Sequence, residues 1–88
     1  MEKRTEIPIP YVKAAEERAR RAAEFDIKVG NFCREAGITQ QEVALRAGAN
    51  YNTMVAAMGN KTAGHDVVPV VSEYIDSVRK LWHEREVE

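Results

Sequence analysis

The stretch TQQEVALRAGANYNTMVAAM, Thr39 to Met58, leaves the chain little choice but two short helices joined by a tight turn. Thr39 carries a side-chain oxygen, and Glu42 follows at the spacing at which a cap and a carboxylate satisfy each other's orphan backbone N–H groups. A helix therefore starts here, with Val43, Ala44 and Ala47 on one face and Gln40, Gln41, Glu42, Leu45 and Arg46 in polar or peripheral positions. Gly48 ends it, because a left-handed backbone is cheap only without a Cβ. Asn50 caps a second helix in which Met54, Ala57 and Met58 recur at the three- and four-residue spacing of a buried stripe. Small Ala44 lets the two helices cross closely. Cap, helix, glycine turn, cap, helix is the signal of a helix-turn-helix over 39–58.

The segment EAGITQQEVALRAGANYNTMVAAMGNKT resembles the lambda-repressor-like family of phage and bacterial regulators, the Cro and repressor (XRE-type) group. Ala36-Gly37-Ile38-Thr39-Gln40, Ala44, Gly48, Ala49 and Gly59-Asn60-Lys61 carry the resemblance. It implies an all-α fold, a small bundle of about five helices containing the helix-turn-helix. Here an extra N-terminal helix and a long C-terminal helix are added. It also implies a sequence-selective transcriptional regulator that binds a double-stranded DNA operator as a homodimer, with repression favoured over activation. Paired recognition helices, 51–58, would enter successive major grooves. The positions that match base-contacting ones are Asn50, Tyr51, Asn52 and Val55, and amide side chains suit purine edges. Gln40 matches a position that grips the DNA backbone, and Arg46, Lys61, Thr62 and Lys28 are further phosphate candidates. A plainer account stands beside several of these: Asn50 as a cap only, Arg46 as a solvated charge, Tyr51 as partly buried.

The recognition helix departs from the family, since YNTMVAAM holds no arginine, lysine or glutamine and Ala56 stands where a longer polar side chain is common. Specificity would then come from DNA shape and the N-terminal arm, or affinity would be shared among several subunits, or DNA binding has been lost. The formal net charge of −1 sharpens the question, because phosphate neutralisation supplies much of the affinity for nucleic acid. That charge is unevenly spread. Lys3, Arg4, Lys13, Arg18, Arg20, Arg21, Lys28 and Arg34 lie in the first half, and Glu84, Glu86 and Glu88 cluster at the end. A DNA binder should gather Lys28, Arg46 and Lys61 on the face that presents Asn52.

Two regions flank this centre. Residues 1–10 read as an extended arm, because Pro8 and Pro10 push Ile7 and Ile9 away from helix. Residues 11–88 read as one helical domain, which is what 88 residues allow. Tyr11 to Phe25 is helix-prone, with a thin seam of Val12, Ala15, Ala19 and Ala22 that packs on the domain or against a partner. Asp26 reads as a cap or kink before a helix over 27–36 bearing Val29, Phe32 and Cys33; whether the two helices are continuous is open. Gly59 to His65 is a loop by composition, Asp66 a cap, and Pro69 a first-turn residue of the last helix. There Val67, Val71, Tyr74, Val78 and Leu81 form one apolar series, and Val68, Val71, Ile75, Val78 and Trp82 a second. One stripe closes the core; the other, centred on Tyr74, Val78, Leu81 and Trp82, is the expected dimer interface. The alternative function is a protein-interaction module binding another regulator or RNA polymerase through this helix.

Enzyme chemistry finds no support. His65 and His83 are too far apart in sequence for a local metal pair, and no HExxH, CxxC, GxSxG or phosphate-loop pattern exists. Cys33 reads as a small core residue. No catalytic residue, metal, cofactor, small-molecule substrate or membrane is expected, and the lone cysteine fits a reducing, cytoplasmic, nucleoid-associated location.

Overall fold

The computed structural model describes the backbone of residues 9–87 and the side chains of 13–85. Four helices follow in order: α1 (Ile9–Ala36), α2 (Gln40–Ala47), α3 (Tyr51–Met58) and α4 (Val67–Val87). The fold is all-α, as expected, with four helices instead of about five. The difference lies in α1, which runs unbroken through Asp26. An aspartate inside a helix costs only a few tenths of a kcal/mol, whereas a break there would separate Phe25 and Val29, which are buried on one face with Phe32. Ile9 and Pro10 belong to the first turn of α1, where the N–H that proline lacks has no helical partner anyway. Of the expected arm, residues 1–8 lie outside the described residues.

The ends of three helices are closed in one way. Gly37, Gly48 and Asn60 take positive φ of 70°, 77° and 61°. The following amides then reach back five residues: Ile38 to the Cys33 carbonyl (3.1 Å), Ala49 to Ala44 (2.8 Å) and Lys61 to Ala56 (2.8 Å). Each is a Schellman closure. In the first two the apolar residue after the glycine, Ile38 or Ala49, packs on the core. At the end of α3 the left-handed residue is Asn60, and Gly59 keeps φ −90°. For α4 the first amides of the helix, Val67 and Val68, donate to the Gly64 carbonyl at 3.0 and 2.8 Å.

Each helix touches the other three. Phe25, Val29 and Phe32 of α1 meet Val67, Val71 and Ile75 of α4, with Val43 and Ala44 of α2 and Met54 and Ala57 of α3 completing the core. Phe32 is the hinge of this packing. Tyr74 meets it edge-on at 5.8 Å between centroids, and Trp82 stacks on it at 5.5 Å. The wide apolar face of α4 is therefore largely used inside the chain: Tyr74, Val78 and Trp82 pack against the core, and of the expected dimer stripe only Leu81 is well exposed, at 56%. Two ion pairs tie α1 to α4, Lys28 to Asp76 at 2.9 Å and Arg79 to Glu35 at 3.1 Å. Their order shows that the two helices run in the same direction. Beyond this contact α1 projects: residues 13–21 are all exposed, so Ala15 and Ala19 do not pack on the domain.

Two glycines separate space from conformation. A Cβ on Gly30, inside α1, would meet nothing nearer than the Arg34 guanidinium at 3.8 Å, so Gly30→Ala should stabilise the fold by about 0.5–1 kcal/mol. Gly64 is buried at φ +62°, and a Cβ there would fall 2.7 Å from Ala57 Cβ and 3.2 Å from Val68 Cγ2. Gly64→Ala should cost more than the roughly 1–2 kcal/mol of a left-handed alanine alone. Urea midpoints at unchanged slope read both, and shifts of the same sign would refute the packing described here.

Candidate nucleic-acid interface

The α2–α3 unit is built almost wholly from local chemistry. The Thr39 hydroxyl accepts the Glu42 amide at 3.1 Å and starts α2; Asn50 Oδ1 accepts the Thr53 amide at 3.0 Å and the Thr53 hydroxyl at 3.2 Å and starts α3. Helices of eight residues are unstable alone. What holds these two is the pair of caps, the Gly48 turn and four buried side chains, Val43, Ala44, Met54 and Ala57.

With Met54 and Ala57 facing inward, the opposite side of α3 faces solvent. Asn52 is exposed, as are Tyr51 (37%) and Val55 (39%). Gln40, at the head of α2, is half-buried, and Lys61 and Thr62 follow α3 as exposed and half-buried residues. Tyr51 borders a shallow depression shared with Thr39, Gln41, Glu42 and Leu45. Leu45 is 74% exposed there. The one carboxylate in that depression, Glu42, accepts a hydrogen bond from Arg46 Nε at 2.8 Å. Lys61 folds over the end of α3, its Cε within 4.0 Å of where a Gly59 Cβ would stand, which is where a helix favours a cation.

The expected phosphate contacts divide accordingly. Gln40 stands at the head of α2 and Lys61 and Thr62 follow α3, while Lys28 pairs with Asp76 on α4. Arg46 turns toward α4, bordering a depression with Val70, Glu73 and Tyr74. Its guanidinium is held in the charged form chiefly by the Glu42 hydrogen bond, with a lesser contribution from the Tyr74 hydroxyl. Of the three cations expected beside Asn52, Lys28 and Arg46 each have a carboxylate partner, and Lys61 adjoins the end of α3. Asn50 is spent on its cap, which leaves Tyr51, Asn52 and Val55 as the outward set. Cys33 is half-buried, and burial pushes its thiol above the ordinary range, with Arg34 opposing that shift. Among the described residues no group of three or more His, Cys, Asp or Glu is placed to hold a metal ion, and no helix is long and apolar enough to cross a membrane. No protein-family model, curated protein or solved structure matches the chain.

The two asparagines should separate in a stability measurement. Asn50→Ala removes an N-cap and should cost about 1 kcal/mol. Asn52→Ala, at an exposed position, should stay within about 0.5 kcal/mol of the parent. Equal losses in chemical denaturation would mean that Asn52 is a structural residue.

Proposed function

We propose that the chain is a small helix-turn-helix regulator that binds double-stranded DNA as a homodimer, most simply as a repressor. One observation carries the reading: the outer face of α3 offers Tyr51, Asn52 and Val55 to solvent while Met54 and Ala57 anchor the same helix in the core. A helix held in this way can enter a major groove without unfolding anything behind it. Asn52 then reads a base edge, Val55 and the Tyr51 ring supply apolar contact, and Gln40, Lys61 and Thr62 meet phosphates. With so few cations beside α3, shape and the pairing of two subunits carry more of the affinity than direct contacts do.

The exposure of Val70 (42%) and Leu81 (56%) on α4 favours a second reading, in which this helix docks another regulator or an RNA polymerase subunit. The same two residues are where a second copy of the chain would meet it, since Tyr74, Val78 and Trp82 are taken up by the core.

Binding to a selected duplex should weaken with added salt, with a slope of about 0.9 for each phosphate neutralised, and affinity indifferent to salt would defeat the DNA reading. In a selected duplex Asn52→Ala should relax base preference. Lys61→Ala should weaken all duplexes alike and lower the salt slope by about one. Identical behaviour of the two variants would show the roles to be misassigned. Leu81→Glu should give a monomer by sedimentation if α4 joins the subunits, and a persistent dimer would place the contact elsewhere.

A further inference from the structure

A concavity of the described residues lies between the projecting half of α1, the α3–α4 loop and the start of α4. It encloses about 410 Å³, within the roughly 300–1,000 Å³ of small-molecule sites. Its polar lining is Arg18, Arg21, Asn60, Thr62 and His65; its apolar lining is Ala22, Ala57, Ala63, Val68 and Pro69. Arg18 and Arg21 are three apart, hence neighbours on one helix face. No carboxylate lines the cleft. Glu17 meets Arg21 at 3.7 Å across a contact where both side chains are more than half exposed. An exposed pair of this kind yields easily to a better acceptor.

The wall opposite the arginines is stiff. Gly64 is buried, and it approaches α3 so closely that a Cβ would strike Ala57. Its carbonyl takes the first two amides of α4, and the Schellman closure at Asn60 fixes the other end of the loop. A cleft with two arginines and no carboxylate in its lining, over a floor of alanine, valine and proline, matches a ligand that is anionic at one end and apolar at the other.

We propose that this cleft binds a small organic anion, a carboxylate or phosphate held by Arg18 and Arg21 and carrying an apolar or aromatic body that rests against Ala22, Ala57, Val68 and Pro69. A phosphodiester of a nucleic-acid backbone would use the two arginines but leave that floor uncovered. The proposal does not rest on the DNA reading of α3.

Phenyl phosphate is a suitable probe. Titrated into the 15N-labelled full chain, it should give saturable amide shifts at Thr62, Gly64 and His65. Inorganic phosphate and benzyl alcohol, which lack one end each, should bind at least about tenfold more weakly, as expected when charge-assisted hydrogen bonds and apolar contact act together. The Arg18→Gln/Arg21→Gln variant, altered only at exposed positions, should keep its circular dichroism and lose the phenyl phosphate shifts. Equal affinity for inorganic phosphate, undiminished binding by the double variant, or absence of saturation would overturn the proposal. So would shifts at these amides produced by a short DNA duplex and not by phenyl phosphate, which would make the cleft a backbone contact.

Discussion

Phe32, held between the edge of Tyr74 and the face of Trp82, is the contact on which the other elements depend. It locks α1 and α4 side by side and pointing the same way. Two parallel helices cannot be joined by a tight turn, because the chain must travel back along the first before beginning the second. Here α1 ends at Ala36, and α4 begins beside Ala22, about 21 Å back along the helix at 1.5 Å per residue. Helices α2 and α3, each about 12 Å long, supply that return. The α2–α3 unit is thus the crossover of a parallel helix pair, and its position is dictated by the pair beneath it.

The same arrangement explains where the positive charge goes. Lys28 and Arg79 hold α1 and α4 in register, and Arg46 is bound to Glu42 within α2. Exposed pairs like these add little net stability, yet they draw cations away from the solvent face of α3. The projecting half of α1 carries Lys13, Arg18, Arg20 and Arg21 among Glu16, Glu17 and Glu24, with Glu17 meeting both Arg20 and Arg21.

The parts of the fold legible in the sequence were those written in local chemistry. Thr39 and Asn50 cap, Gly37 and Gly48 turn left-handed, and Val43, Ala44, Met54 and Ala57 face inward, because each follows from spacing within a few residues. What the spacing hid was long-range. Asp26 has the chemistry of a break, but Phe25 and Val29 on either side of it both need α4, and their burial overrides the local preference. The width of the α4 face reads equally as a dimer surface or as a clasp on an aromatic side chain; only the position of Phe32 decides for Tyr74 and Trp82. Lys28 and Arg46 looked available because their partners, Asp76 at a distance and Glu42 one turn away, are acids of ordinary kind. The cleft beside Arg18 was invisible, since it needs the loop at Gly64 and a helix more than forty residues earlier in the chain.

If α3 does enter a groove, its neutrality has a consequence for how recognition is divided. Tyr51, Asn52 and Val55 can discriminate between base pairs, but uncharged side chains release no counterions, and each phosphate neutralised contributes a salt slope of about 0.9. Lys61 and the amides at the head of α2 amount to a short list of such contacts per subunit. Discrimination and affinity would then reside in different places, the first in one exposed helical turn and the second in whatever brings two such turns onto one duplex. A surface of that kind would gain specificity from its own thinness: with little attraction for an arbitrary sequence, a single chain would not stay on DNA, and only a paired arrangement at a matching site would. The geometry that permits this is the rigidity of α3, fixed by Met54 and Ala57 in the core and by caps at both ends, so that no binding energy is lost in ordering the helix on arrival.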